Sequence, residues 1–238
     1  MSGLSCWLKR RHPLAAGIDG RVKVDWVIRR AAVPPGHRYC YFRIPKCANS
    51  TVIKTLFRYD PSLKAGKDQG DPRRMKKRFG GLFSARALSP HQLSARYFCF
   101  TVVRSPFTRV LSAYLDKIAA AQPGQYSYVA RAVGASKAAE VSFPDFVAFL
   151  EGGGLYANAH WAPQVAMLPV DPGELAYVGR VESLEDDLAW LVDRLFGKGT
   201  FEGAATRGDR RRHSGSRLRE YYDLDLVRRV HRLYEPDF

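Results

Sequence analysis

Twice in this chain an apolar run breaks into a short polar turn and then into a helical stripe, and that repetition most restricts the fold. Apart from Arg43, residues 39–44 are apolar and aromatic, the turn comes at Pro45-Lys46-Cys47-Ala48, and residues 52–59 read as a helix. Residues 97–103 are aromatic and β-branched and read as a buried strand. Arg104-Ser105-Pro106 then leads into Phe107, Val110, Leu111 and Tyr114, an apolar stripe at helical spacing. Proline suits the first helical turn, where a missing N–H costs little. Strands separated by helices imply an α/β fold with a central parallel sheet and ligands at the carboxyl ends of its strands.

Each junction collects positive potential. A helix start aims backbone N–H groups and the positive end of the helix dipole at one spot. In the first junction Lys46 adds a cation, and Ser50 and Thr51 add hydroxyls, which suits a phosphate or sulfate. It is not the Walker pattern, because the lysine precedes the turn and the loop has no glycine. Taken alone, the same residues fit an ordinary helix start capped by Ser50 or Thr51. In the second junction Arg104 ends the strand and Ser112 lies eight residues on. A planar fork of donors and a short hydroxyl can share one phosphate. Taken alone, that pair reads as a solvated arginine and a helix serine. Together the junctions fit one ligand with two separated phosphates.

On these residues the chain resembles the sulfotransferases. Ile44-Pro45-Lys46 through Thr51 looks like their 5′-phosphosulfate loop, and Val103-Arg104 through Tyr114 looks like their 3′-phosphate motif. Asn158-Ala159-His160-Trp161-Ala162-Pro163-Gln164, the segment from Tyr177 to Asp187, and the closing Tyr234-Glu235-Pro236-Asp237-Phe238 are similar to segments of the carbohydrate sulfotransferases of sulfotransferase family 2. The likeness covers residues 39–238. Ser105 stands where many members have Asp, and the first loop lacks their glycine.

The resemblance implies an α/β, P-loop-like three-layer sandwich. It implies 3′-phosphoadenosine 5′-phosphosulfate (PAPS) as donor and a hydroxyl of a carbohydrate or glycolipid as acceptor, with no metal. Donor-binding residues carried over are Pro45, Lys46, Cys47, Ala48, Asn49, Ser50, Thr51, Arg104 and Ser112. A basic, serine-containing loop near the C-terminus often closes over the nucleotide in this family, which adds Arg212, Ser214 and Arg217. Lys46 is placed to neutralise charge on the leaving group. The acceptor hydroxyl needs a general base, and His160 is the first choice because it lies in the family-like segment. His91, which precedes the second strand, is the next. Trp161 reads as core or substrate platform, and Glu182 as an anchor for a loop or helix start.

Charge and cysteines narrow the setting. The formal net charge is +15, which favours anionic partners. The donor is itself anionic, an acidic acceptor would fit, and the basic surface also suits a peripheral membrane contact. A nucleic-acid-binding module would interleave aromatics with Lys and Arg on exposed faces. Here most aromatics lie in apolar runs, so no nucleic-acid partner is expected. An ATP-using kinase would want Gly-Lys-Ser/Thr and acidic metal ligands, and neither is seen. The four cysteines, Cys6, Cys40, Cys47 and Cys99, have no metal or CxxC spacing and read as free thiols in a reducing compartment. No signal peptide or membrane-length apolar run is seen, so a bacterial-type cytoplasmic enzyme is expected.

The remaining expectations concern organisation. Residues 1–38 read as an irregular lead with one strand candidate at 22–28, and 39–238 as a single domain. Residues 60–95 are polar, basic and turn-rich and read as a substrate-side insertion. Residues 122–139 read as a loop, 143–146 as the start of a helix and 152–154 as its end. A third strand is predicted at 176–181 and a helix at 184–196, opened by Ser183 with Asp186. A last amphipathic helix is predicted over 221–234.

Overall fold

The computed structural model describes residues 13–34, 36–63, 74–75, 88–120, 126–137, 140–205 and 217–238. The chain divides into two compact units. The first takes Met1–Val103 and Ala166–Arg210, and the second takes Arg104–Val165 and Arg211–Phe238. Most of the 60–95 stretch, together with Arg212, Ser214 and Cys6, lies outside the described residues.

The first unit is built on a four-stranded sheet in the order β1-β2-β3-β4. These strands are β1 (Ala31–Ala32), β2 (Tyr39–Phe42), β3 (Phe98–Val103) and β4 (Tyr177–Arg180). β1 is antiparallel to β2, whereas β2, β3 and β4 run parallel, with Tyr39 opposite Phe98 and Phe100 opposite Tyr177. Alternation along the strands sorts the side chains to two faces. Tyr39, Tyr41, Phe100 and Val102 face helices α2 (Asn49–Tyr59) and α7 (Leu184–Phe196), meeting Val52, Ile53, Leu56, Leu188 and Leu191 in one core. Tyr41 stacks flat on Phe100 with ring centroids 5.0 Å apart. Cys40, Phe42, Cys99 and Thr101 are buried on the opposite face. There helix α3 (Pro90–Arg96) meets β3, and its Leu93 carbonyl accepts from the Cys99 thiol. The unit is therefore helix, sheet, helix, in agreement with the α/β expectation.

The second unit is helical: α4 (Pro106–Tyr114), α5 (Ser127–Ala132), α6 (Phe143–Glu151), α8 (Leu218–Tyr221) and α9 (Leu224–Leu233). Its core gathers Leu111 and Tyr114 with Phe146, Trp161, Val230 and Tyr234. Pro106 occupies the first turn of α4, as expected, and the helix runs on into a π-helical turn at Leu115–Ala119. Ser142 caps α6 in a reciprocal pair with Asp145, so Pro144 again sits where its missing N–H is harmless.

Several expectations need correction. Residues 22–28 give no strand; α1 (Val24–Ile28) forms instead. Val24, Val27 and Ile28 are its buried side chains, spaced three and four apart, and this periodicity overrides the apparent alternation. The lead is thus not irregular throughout. Residues 122–139 contain α5, because Val129 and Ala130 bury against the second core. The last helix forms but starts at Leu224, with the short α8 ahead of it, and the Asp223 carboxylate caps it by accepting from Leu226 N–H at 2.8 Å. Ser183 does not form a capping box with Asp186. Its hydroxyl donates to Asp187, which also accepts from Arg180 N–H and from Tyr177 Oη.

Candidate active site

The first junction is a strained turn between β2 and α2. Arg43 is not part of the exposed chemistry. It donates to the Arg29 and Arg30 carbonyls at 2.6 and 3.0 Å, and burial pulls its pKa down to about 10. Ile44 and Pro45 are buried. Lys46 then takes φ 73° and Ala48 φ 49°, both in the left-handed region that L-residues adopt at a cost of about 1 kcal/mol. Such strain gathers where the surrounding structure over-determines a functional conformation.

The turn answers the capping question. The N-cap of α2 is Ala48, which has no side-chain cap, so Ser50 and Thr51 fall inside the first turn and neither acts as cap. Thr51 and Val52 N–H both donate to the Ala48 carbonyl. Among the described residues, the amides of Ala48, Asn49 and Ser50 have no hydrogen-bond partner. Asn49 uses its side-chain oxygen to accept from Tyr41 Oη at 2.8 Å, which pins the helix start to the sheet. Cys47 is fully buried, its thiol directed to the Pro45 carbonyl, so Pro45 and Cys47 can offer a ligand only backbone. Lys46, Ser50 and Thr51 are half-buried at the rim. Because β2 and β3 are parallel neighbours, this loop and the end of β3 at Val103 leave the same edge of the sheet.

In the second unit Arg104 is held at backbone and headgroup. Gln164 Oε1 accepts from Arg104 N–H and Gln164 Nε2 donates to Arg104 C=O, both at 2.9 Å. Arg104 Nε donates to Thr108 Oγ1 at 2.9 Å, and Thr108 in turn donates to the Ser105 carbonyl at 3.1 Å. Thr108 and Ser112 are one turn apart on α4 and share a face. Arg104 is thereby laid on the helix face that carries Ser112, which is 4% exposed.

His160 is held by Asn158 at both backbone and ring. Asn158 Oδ1 accepts from His160 N–H at 3.1 Å and lies 2.7 Å from Nδ1. An oxygen that accepts from the amide can only accept from the ring, so Nδ1 is the ring nitrogen that donates to it. Trp161 is fully buried among aromatic rings and donates Nε1–H to the Gly154 carbonyl at 3.0 Å, which makes it core. Its carbonyl accepts from the buried Tyr234 hydroxyl.

Other expected residues fall elsewhere. His91 is exposed on α3, with Nδ1 3.6 Å from Glu174, three residues ahead of β4. That places it near the amino ends of the strands, while the Lys46 loop leaves the carboxyl end of β2. Among the described residues, no hydrogen bond or ion pair joins His91 to the Lys46 loop. Arg217 is bound to its own helix, donating to Glu220 and to Tyr221 Oη at 2.8 Å each. Glu182 is exposed in the turn before α7. Cys40, Cys47 and Cys99 are free thiols. Among the described residues no cluster of His, Cys, Asp or Glu could hold a metal ion, and no helix is long and apolar enough to cross a membrane. Sequence reading missed Thr108, Arg109, Gln164 and Asp237. Only Thr108 carried a local signal, its spacing of one turn from Ser112.

Comparison with known proteins gives the family. Residues 29–238 match the sulfotransferase family. Carbohydrate sulfotransferase 14 of Mus musculus is 29% identical over 180 residues, covering 70% of this chain and 46% of that protein. The Homo sapiens protein of the same name is 29% identical over 179 residues, with the same coverage. The Danio rerio one is 26% identical over 183 residues, covering 71% and 49%. The chain spans about half the length of the curated relatives it matches. No solved structure matches the chain.

Proposed function

The chain belongs to the sulfotransferase family, and on that premise we propose that it moves a sulfuryl group from PAPS to a hydroxyl of a carbohydrate. The observation that carries this reading is the loop at 45–51, an uncapped helix start whose first amides are unbonded beside Lys46, Ser50 and Thr51. These groups supply fixed donors for the phosphosulfate. Arg104 and Ser112 supply the donors for the 3′-phosphate, the group that separates this nucleotide from ATP. The carbohydrate acceptor rests on the relatives, and the net charge of +15 suits an anionic donor and an acidic glycan.

The reaction is an in-line displacement. The acceptor oxygen bonds to sulfur as the bond from sulfur to the 5′-phosphate oxygen breaks. The acceptor proton passes to His160, whose ring is oriented by the Asn158 contact. Lys46 and the amides of the loop stabilise negative charge growing on the leaving oxygen.

Two measurements test this. Adenosine 3′,5′-bisphosphate at 100 times its Kd should stabilise the protein by about 2.7 kcal/mol, a melting shift of several degrees, without magnesium. A larger shift with ATP and magnesium, or with an RNA oligomer, would sink the proposal. His160→Ala should lower kcat by roughly 100-fold and leave the bisphosphate shift intact. Unchanged turnover would remove His160 from the base role.

A further inference from the structure

We infer that Gln164, held by Asp237, and Thr108 are positioning residues that set the orientation of Arg104 and with it selectivity for a 3′-phosphorylated nucleotide. This rests on the reading of Arg104 as the 3′-phosphate contact. Gln164 is 3% exposed, and its amide meets both backbone groups of one residue, as a neighbouring strand would. Those bonds fix the dihedral angles of Arg104 in the short turn between β3 and α4. Buried amides that satisfy all partners specify one geometry, because any displacement leaves polar groups unpaired.

Gln164 is itself fixed by the end of the chain. Asp237 Oδ2 accepts from Gln164 N–H at 2.8 Å and Oδ1 from Val165 N–H at 3.0 Å. Three segments distant in sequence thus form one relay within the second unit, from Asp237 through Gln164 to Arg104. Thr108 completes it by fixing the guanidinium from the side of α4. A guanidinium presents its donors as a rigid fork, so its direction decides which phosphate it can bind.

The test compares adenosine 3′,5′-bisphosphate with AMP, which lacks the 3′-phosphate. The ratio of the two Kd values isolates the 3′-phosphate contribution, and Arg104→Ala sets its floor. Gln164→Ala is expected to reduce that ratio by about tenfold, equal to about 1.4 kcal/mol, while AMP affinity stays within twofold of wild type. Gln164→Glu should fail similarly, since an ionised carboxylate cannot donate to the Arg104 carbonyl. If Gln164→Ala does not fold, Thr108→Val reads the same ratio from the half-buried face of α4, and Thr108→Ser should restore it. A merely structural role would weaken both nucleotides alike. A ratio unchanged in Gln164→Ala and in Thr108→Val overturns the inference alone. A wild-type protein with no preference for the bisphosphate overturns the reading of Arg104 as well.

Discussion

Replacing Lys46 by alanine is expected to lower kcat by about 10³-fold, while affinity for adenosine 3′,5′-bisphosphate falls by less than about tenfold. The asymmetry follows from where charge develops. In the ground state the phosphosulfate already carries charge that several amides of the 45–51 turn and the dipole of α2 can share. In the transition state charge grows on one bridging oxygen, and a single ammonium placed there acts mainly on that growth. The backbone at Lys46 already holds φ 73°, so the chain has accepted strain to set the direction of this side chain. Lys46→Gly relieves that strain and should lose as much activity as Lys46→Ala, because the ammonium and not the backbone does the chemistry. Single-turnover rates with calorimetric affinities separate the outcomes. Near-normal turnover would remove Lys46 from the reaction. Equal losses in rate and in bisphosphate affinity would make it a binding residue only.

How much of this was legible beforehand depended on range in sequence. The helix 184–196 and the two strand–turn–helix junctions were readable because propensity, apolar spacing and proline placement agree locally. The helix at Val24–Ile28 was not, since a run of alternating apolar residues fits either period until a neighbour decides which face is buried. The placement of His91 was also legible from sequence. A residue ahead of a parallel strand lies toward its amino end, away from the edge where ligands bind. Gln164 and Asp237 carried no such sign, because their partners lie 60 and 73 residues away. The segments at 158–164 and 234–238 were singled out by resemblance alone, and hydrogen bonding in the fold supplies the physical reason they belong together.

The same network makes Arg109 the residue whose loss should most damage the second unit. Arg109→Met is expected to cost about 3 kcal/mol at neutral pH. Methionine keeps most of the volume, so little of that loss comes from a cavity. The loss is polar. Arg109 is fully buried and donates to the carbonyls of Ala162 at 2.8 Å and Ala159 at 3.4 Å. Its charge also opposes the burial that raises the Asp237 pKa. Without the guanidinium, burial of Asp237 is opposed only by its hydrogen bonds from Gln164 and Val165, and its folded pKa rises further.

A carboxyl whose folded pKa lies above its unfolded value is well tolerated at low pH, where it is protonated in both states. Its contribution to stability is lost as pH climbs through the folded pKa. The deficit of Arg109→Met should therefore be smaller near pH 5 than near pH 8, measured by urea unfolding against wild type at each pH. An equal deficit at both values would show that Asp237 is not what Arg109 balances. A deficit under about 1 kcal/mol would show that the buried guanidinium contributes little. Ala159 and Ala162 also bracket His160 and Trp161, so turnover in this variant should fall by more than its unfolded fraction explains, because the carbonyls that fix the base-bearing loop have lost their donor.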